Sequence, residues 1–95
     1  MVQSSDLDMA KIPGWEKIVI DNKERLHREL RFEDFSAAFG FMTQVAMIAE
    51  RLQHHPEWFN VYNIVIIDLY RHETGDITEY DLNFAQEVNR ILDGR

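Results

Sequence analysis

The sequence contains no cysteine, few basic residues and no long apolar run. Without thiols there is no disulfide, no thiol nucleophile, no zinc ribbon and no iron–sulfur site, and a reducing compartment suits the chain. Ten Lys and Arg against 17 Asp and Glu give a formal net charge of −7. No basic stripe is available to displace counterions from phosphates, so direct nucleic-acid binding is not expected. No segment approaches the roughly 18 to 20 apolar residues that span a bilayer, and the opening MVQSSDLDMAK lacks the basic start and apolar stretch of a signal peptide. The expectation is a cytoplasmic protein with no membrane partner, nuclear entry being left open.

What is present is enough apolar material for a core. Hydrophobic residues make up 45% and aromatics 12% of 95 positions, as in one small globular domain. Residues 1–13 read as a loose arm or a short helix, closed by Pro13-Gly14. WEKIVI, from Trp15 to Ile20, is a β-branched strand; Asp21-Asn22 supplies turn chemistry, and Leu26, Leu30 and Phe32 fall on one parity of a second strand. From Glu33 to about Gln53 the period becomes helical, with Phe35, Ala38, Phe39, Met42, Val45, Ala46, Ala49 and Leu52 forming a broad apolar face. Phe41 and Ile48 lie off its centre and either widen the core or form a second surface for self-association.

NVYNIVIIDLYRH is strand-like, as one long strand or as two with a bend near Asn63. Val61, Val65, Ile67 and Leu69 take one side, and Tyr62, Ile64, Ile66, Asp68, Tyr70 and His72 the other. HETGD turns, and Thr78 with Asp81 three residues on gives a capping-box start to a last helix. Leu82, Ala85, Val88, Ile91 and Leu92 form its buried face, and Gly94 its stop. The order predicts an α+β fold: a four-stranded antiparallel sheet with helices packed on one face.

The stretch RLQHHPEWFNVYN places two of the four histidines against a proline. Pro56 disfavours helical geometry at His55, so the long helix should end at His54 or His55. There the helix dipole favours the imidazolium form, and such rings give and take protons at cellular pH. Glu50, one turn before His54, is a carboxylate partner for it. Adjacent side chains leave the backbone in different directions and do not share a face as metal-ligand pairs do, so no metal is expected. His72 ends the strand-like run on the parity of Asp68 and Tyr70, where a strand end can approach a helix terminus. His27 has no partner evident in the sequence and reads as an exposed residue.

The run from FEDFSAAFGFM through HHPEWFNVYN to the histidine of LYRHETGD resembles the pterin-4a-carbinolamine dehydratase family, over roughly Gly14 to Leu92. The resemblance implies a four-stranded antiparallel sheet backed by helices, assembled as a homo-oligomer, dimer or tetramer. It implies dehydration of a pterin substrate, 4a-hydroxytetrahydrobiopterin, without bound cofactor. It maps the catalytic histidines onto His54, His55 and His72, and substrate contacts onto Gln53, Pro56, Trp58, Tyr70, Arg71 and Glu73 beside them. Trp58 is expected to wall the pocket and Phe59 to lie in the core. Glu50 and Asp81 are supporting residues, Asp81 matching a family aspartate as well as capping. Tyr70 and Arg71 depart from animal members, which commonly carry a small hydroxyl residue just before the downstream histidine. Animal members also act as dimerisation cofactors of a homeodomain transcription factor. The rival expectation is therefore an adaptor using an exposed helix face around Phe41, Met47 and Ile48.

Overall fold

The Asp21-Asn22 turn sets the first hairpin. Both residues sit at positive φ, 53° and 64°, as a type I′ turn requires. They join β1 (Glu16–Ile20) to β2 (Lys23–Arg31) in antiparallel register. A second hairpin joins β3 (Glu57–Val61) to β4 (Ile64–Leu69) through Tyr62 and Asn63, with Tyr62 at φ 49°. The Asn60 side chain donates to the carbonyls of Tyr62 and Ile64 at 3.2 and 2.8 Å, and Asn63 donates to that of Phe32 at 2.9 Å. The strand-like run is thus two strands folded back on each other, and Val61 shares the face of Ile64 rather than that of Val65. The strands lie in the order β1-β2-β4-β3, every neighbouring pair antiparallel.

This computed structural model describes residues 7–94. The part of the expected arm on residues 1–6 lies outside the described residues; beyond it, Met9–Lys11 form a single 3₁₀ turn capped by Asp8. Two helices follow the expected order, α1 (Phe35–Leu52) between β2 and β3, and α2 (Glu79–Asp93) after β4. Leu26, Val65, Ile67 and Leu69 are buried on one sheet face, where they meet Ala38, Phe41, Val45, Ile48 and Ala49 of α1 and Phe84, Ala85 and Val88 of α2. Both helices therefore cover that face, and the α+β architecture is as expected. Among the described residues no helix is long and apolar enough to cross a membrane.

The rotation of α1 differs from expectation. Phe41 and Ile48 are core residues, whereas Phe35, Phe39 and Met47 are exposed. Phe35 and Phe39 share one side of the helix, their ring centroids 5.8 Å apart, and Phe41 lies on another, so hydrophobicity alone leaves the phase open. The Phe41 ring packs 4.9 Å from Phe32, and that contact seats the helix. A corresponding correction applies to β3: Phe59 is 58% exposed and Trp58 packs against the core, because pairing with β4 places Trp58 opposite buried Ile67.

α1 begins at Asp34, whose carboxylate accepts the Ala37 amide at 2.8 Å. It ends at Leu52, earlier than His54 or His55, because Gln53 turns left-handed (φ 52°, ψ 44°). The Gln53 and His54 amides both close on the Ala49 carbonyl. Pro56 then keeps the chain extended into β3. At α2 the expected capping box is present in both directions between Thr78 and Asp81.

Candidate active site

Three chain segments converge where α1 ends, β4 ends and α2 begins. A cavity of about 300 Å³ is lined by Leu52, Gln53, His54, Arg71, Glu73, Thr78 and Tyr80. A smaller one of about 110 Å³ is lined by Gln53, His54, His55, His72 and Glu73. Gln53, His54 and Glu73 border both, so the two form one site with a wide and a narrow part. The left-handed Gln53 puts His54 and His55 there, and the tight turn after β4, closed by the Gly75 amide on the Arg71 carbonyl at 2.7 Å, puts His72 and Glu73 opposite.

Each imidazole is held differently. His54 is half-buried, and its Nε2 is hydrogen-bonded to Asp81, which is fully buried. The other Asp81 oxygen accepts the Thr78 amide at 2.8 Å and the Thr78 hydroxyl at 3.3 Å. A neutral imidazole donating through Nε2 keeps its lone pair on Nδ1, and an imidazolium donates from both nitrogens, so His54 can accept or give a proton at Nδ1. His55 is exposed and pairs through Nε2 with Glu50 at 2.8 Å. Glu50 thus serves His55 rather than His54: the left-handed turn at Gln53 carries His54 off the helical spacing that the pairing assumed. His72 is exposed and lies 4.8 Å from the Tyr70 ring, centroid to centroid.

Behind the cavity lies a charged cluster on the sheet face away from the helices. The Tyr70 hydroxyl donates to Glu57 at 2.9 Å. Arg25 donates from Nη1 to Glu57 at 3.2 Å and to Asp68 at 3.1 Å, and sits 4.4 Å from the Tyr70 ring centroid. His27 pairs through Nδ1 with Asp68 at 2.6 Å, so it is not the unpartnered residue that its sequence position suggested. β2 and β4 put these two side by side although they are distant in the chain. The Glu57 hydrogen bond, burial and the Glu57 charge push the Tyr70 phenol above its ordinary range, against the opposing effect of Arg25. Burial works against the Arg25 charge, but the Asp68 hydrogen bond and the charges of Glu57, Asp68 and Tyr70 outweigh it and hold the guanidinium above its usual value.

Of the residues singled out from sequence, the structure brings Gln53, His54, His55, Arg71, His72 and Glu73 to the cavity walls, with Glu50 and Asp81 behind two of the rings. Tyr70 touches His72 from outside them. Pro56 and Trp58 line neither cavity; both are half-buried, and Trp58 packs on the core. Sequence reasoning missed Tyr80, Thr78 and Leu52. Tyr80 was open to detection, as a bulky aromatic in the first turn of a helix whose cap was recognised. Among the described residues no group of three or more acidic or histidine side chains is arranged to hold a metal ion.

Residues 3–91 match the family model described as Pterin 4 alpha carbinolamine dehydratase. A protein of Brucella ovis named "Putative pterin-4-alpha-carbinolamine dehydratase" is 48% identical over 80 residues, covering 84% of this chain and 80% of the relative. The crystal structure of a transcriptional coactivator/pterin dehydratase from Brucella melitensis aligns with a TM-score of 0.83 at 41% identity, over 95% of this chain and 96% of that one. A pterin dehydratase-like protein identified as a RuBisCO assembly factor in the alpha-carboxysome aligns at a TM-score of 0.69 over 84% of this chain and 90% of that one. At 18% identity that likeness is one of fold alone.

Proposed function

This chain belongs to the pterin 4 alpha carbinolamine dehydratase family, and from that membership we propose that it removes water from 4a-hydroxytetrahydrobiopterin or a related 4a-hydroxytetrahydropterin, releasing the quinonoid dihydropterin. The observation that supports this reading is the lining of one small cavity by His54, His55 and His72. Dehydration of a carbinolamine needs two proton transfers. The C4a–O bond breaks as an acid protonates the departing hydroxyl, and a base takes the proton from the neighbouring ring nitrogen. The electron pair of that N–H bond becomes the new C=N bond, and one water leaves. Imidazoles serve both tasks near neutral pH.

His54 and His55 act as acids toward the hydroxyl group, and His72 positions the pterin and assists removal of the nitrogen proton. Arg71 and Glu73 supply a guanidinium and a carboxylate suited to the oxo and amino groups of the pterin ring, and Gln53 lines the same cavity. The hydroxyl can leave from either ring face, so two acids serve two epimers. Measuring His54→Ala and His55→Ala with resolved epimers tests this division: each variant should lose more activity on one epimer, and equal loss on both in each variant rejects it.

A second reading has its own support. Phe35, Phe39 and Met47 project from the outer side of α1, an apolar surface suited to a homo-oligomer, dimer or tetramer, or to a protein partner such as a dimeric homeodomain transcription factor. The adaptor role would be exerted through this face and not through the cavity. Phe39→Lys with Met47→Lys should disrupt assembly or partner binding, whereas His54→Ala and His72→Ala should abolish turnover and spare assembly. The proposed site of action is the cytoplasm.

A further inference from the structure

Two of the three cavity imidazoles are oriented by carboxylates, His54 by Asp81 and His55 by Glu50. His72 is hydrogen-bonded to neither a carboxylate nor any other group among the described residues; what it has is the Tyr70 ring, at 4.8 Å and tilted by 59°. An exposed imidazole on a turn samples several rotamers unless something excludes them. We propose that Tyr70 is the positioning residue of His72, and that Glu57 and Arg25 fix Tyr70 in turn. The inference rests on the dehydratase reading and adds to it a structural means of holding the third histidine.

Tyr70 is well restrained for such a task. Its hydroxyl is tied to Glu57 at 2.9 Å and its ring lies 4.4 Å from the Arg25 guanidinium. The Arg25 side chain is 9% exposed and spans Glu57 on β3 and Asp68 on β4 from its own place on β2. Residues of β2 and β3 thus hold one aromatic ring at the edge of the cavity, and Asp68 on β4 holds Arg25 in turn. Arg25 also keeps its Nε buried without a hydrogen-bond partner among the described residues, an arrangement that stability alone disfavours. The charge of Arg25 keeps the guanidinium against the tyrosine and the carboxylates despite that cost. A phenol held by a carboxylate and a cation is a stiffer wall for an imidazole than a free aromatic side chain, and a small displacement of a reacting group is expensive in rate.

The test combines kinetics with the His72 ring resonances in NMR spectra of the intact protein. Tyr70→Leu should move the His72 ring proton signals toward those of a free histidine, leave the His54 signals in place, and lower kcat by roughly 10- to 100-fold with little change in KM. Tyr70→Phe keeps the ring but loses the hydroxyl tie to Glu57, and Glu57→Ala cuts the same tie, so both should give the same His72 signature with a smaller loss of rate than Tyr70→Leu; these two keep the test open if Tyr70→Leu does not fold. Unchanged His72 signals in the variants that fold, or altered signals with undiminished kcat, would overturn the inference. Wild-type protein without dehydratase activity would instead remove the enzymatic reading, and the NMR comparison would still report whether Tyr70 holds His72.

Discussion

Asp81 sits fully buried with one oxygen on the His54 ring and the other on the Thr78 amide. One carboxylate therefore starts α2 and orients a cavity histidine, so folding and chemistry share a group. Asp81→Asn is expected to cost about 1.5–3 kcal/mol, the range for a hydrogen bond to a charged group. It should also lower kcat by up to about 10²-fold, the lower end of what acid–base catalysis contributes. Thermal denaturation and steady-state kinetics on the same preparation measure both.

The His55–Glu50 pair is a contrasting case, because both side chains are largely exposed. Exposed ion pairs contribute little to stability, about 0–1 kcal/mol. Glu50→Gln should leave the denaturation midpoint nearly unchanged and alter turnover by less than about threefold. His55→Ala should be equally stable yet impaired on one substrate epimer.

The two sides of α1 separate packing from surface. Phe41→Ala should destabilise by about 3–5 kcal/mol and Ile48→Ala by about 2–5 kcal/mol, since each leaves a cavity in the core. Met47 is 68% exposed, and Met47→Ser should stay within about 0.5 kcal/mol for the isolated subunit. Urea denaturation at low protein concentration measures all three.

Tyr70 gives the alkaline prediction. Its folded pKa lies above the ordinary 10.0, chiefly through the Glu57 hydrogen bond, so the folded state retains this proton where the unfolded chain has lost it. The stabilisation is fully present below about pH 10 and is lost as pH rises through the raised folded value. Tyr70→Phe should flatten this part of the alkaline stability decline, as read by denaturation from about pH 9 to 11.

Local chemistry made much of the fold legible in the sequence. Asp21-Asn22 and Thr78 with Asp81 each carry their geometry within a few residues, and Pro56 marks the helix end to within a short step. Facing was harder. The phase of α1 depends on which phenylalanine meets Phe32, and the choice between Trp58 and Phe59 depends on register with β4, where a shift of one residue exchanges the faces. At the site, His54, His55 and His72 stood out by residue type and neighbours. Their partners were only partly legible: Asp81 and Glu50 were named as supporting residues, but Asp81 already had a local explanation as a cap and Glu50 was given to His54 rather than His55. Tyr70 was read as a substrate contact, and Arg25, Glu57 and Tyr70 meet only once three strands are paired. His27 met Asp68 through the same pairing, which no local pattern announces.

The most direct test of the account is the rate at which freshly generated 4a-hydroxytetrahydropterin disappears with and without this protein. Decay should run well above the uncatalysed background and fall to background in the His54→Ala, His72→Ala double variant while the fold persists by circular dichroism. Decay at the background rate with wild-type protein, or undiminished catalysis in the folded double variant, would contradict it.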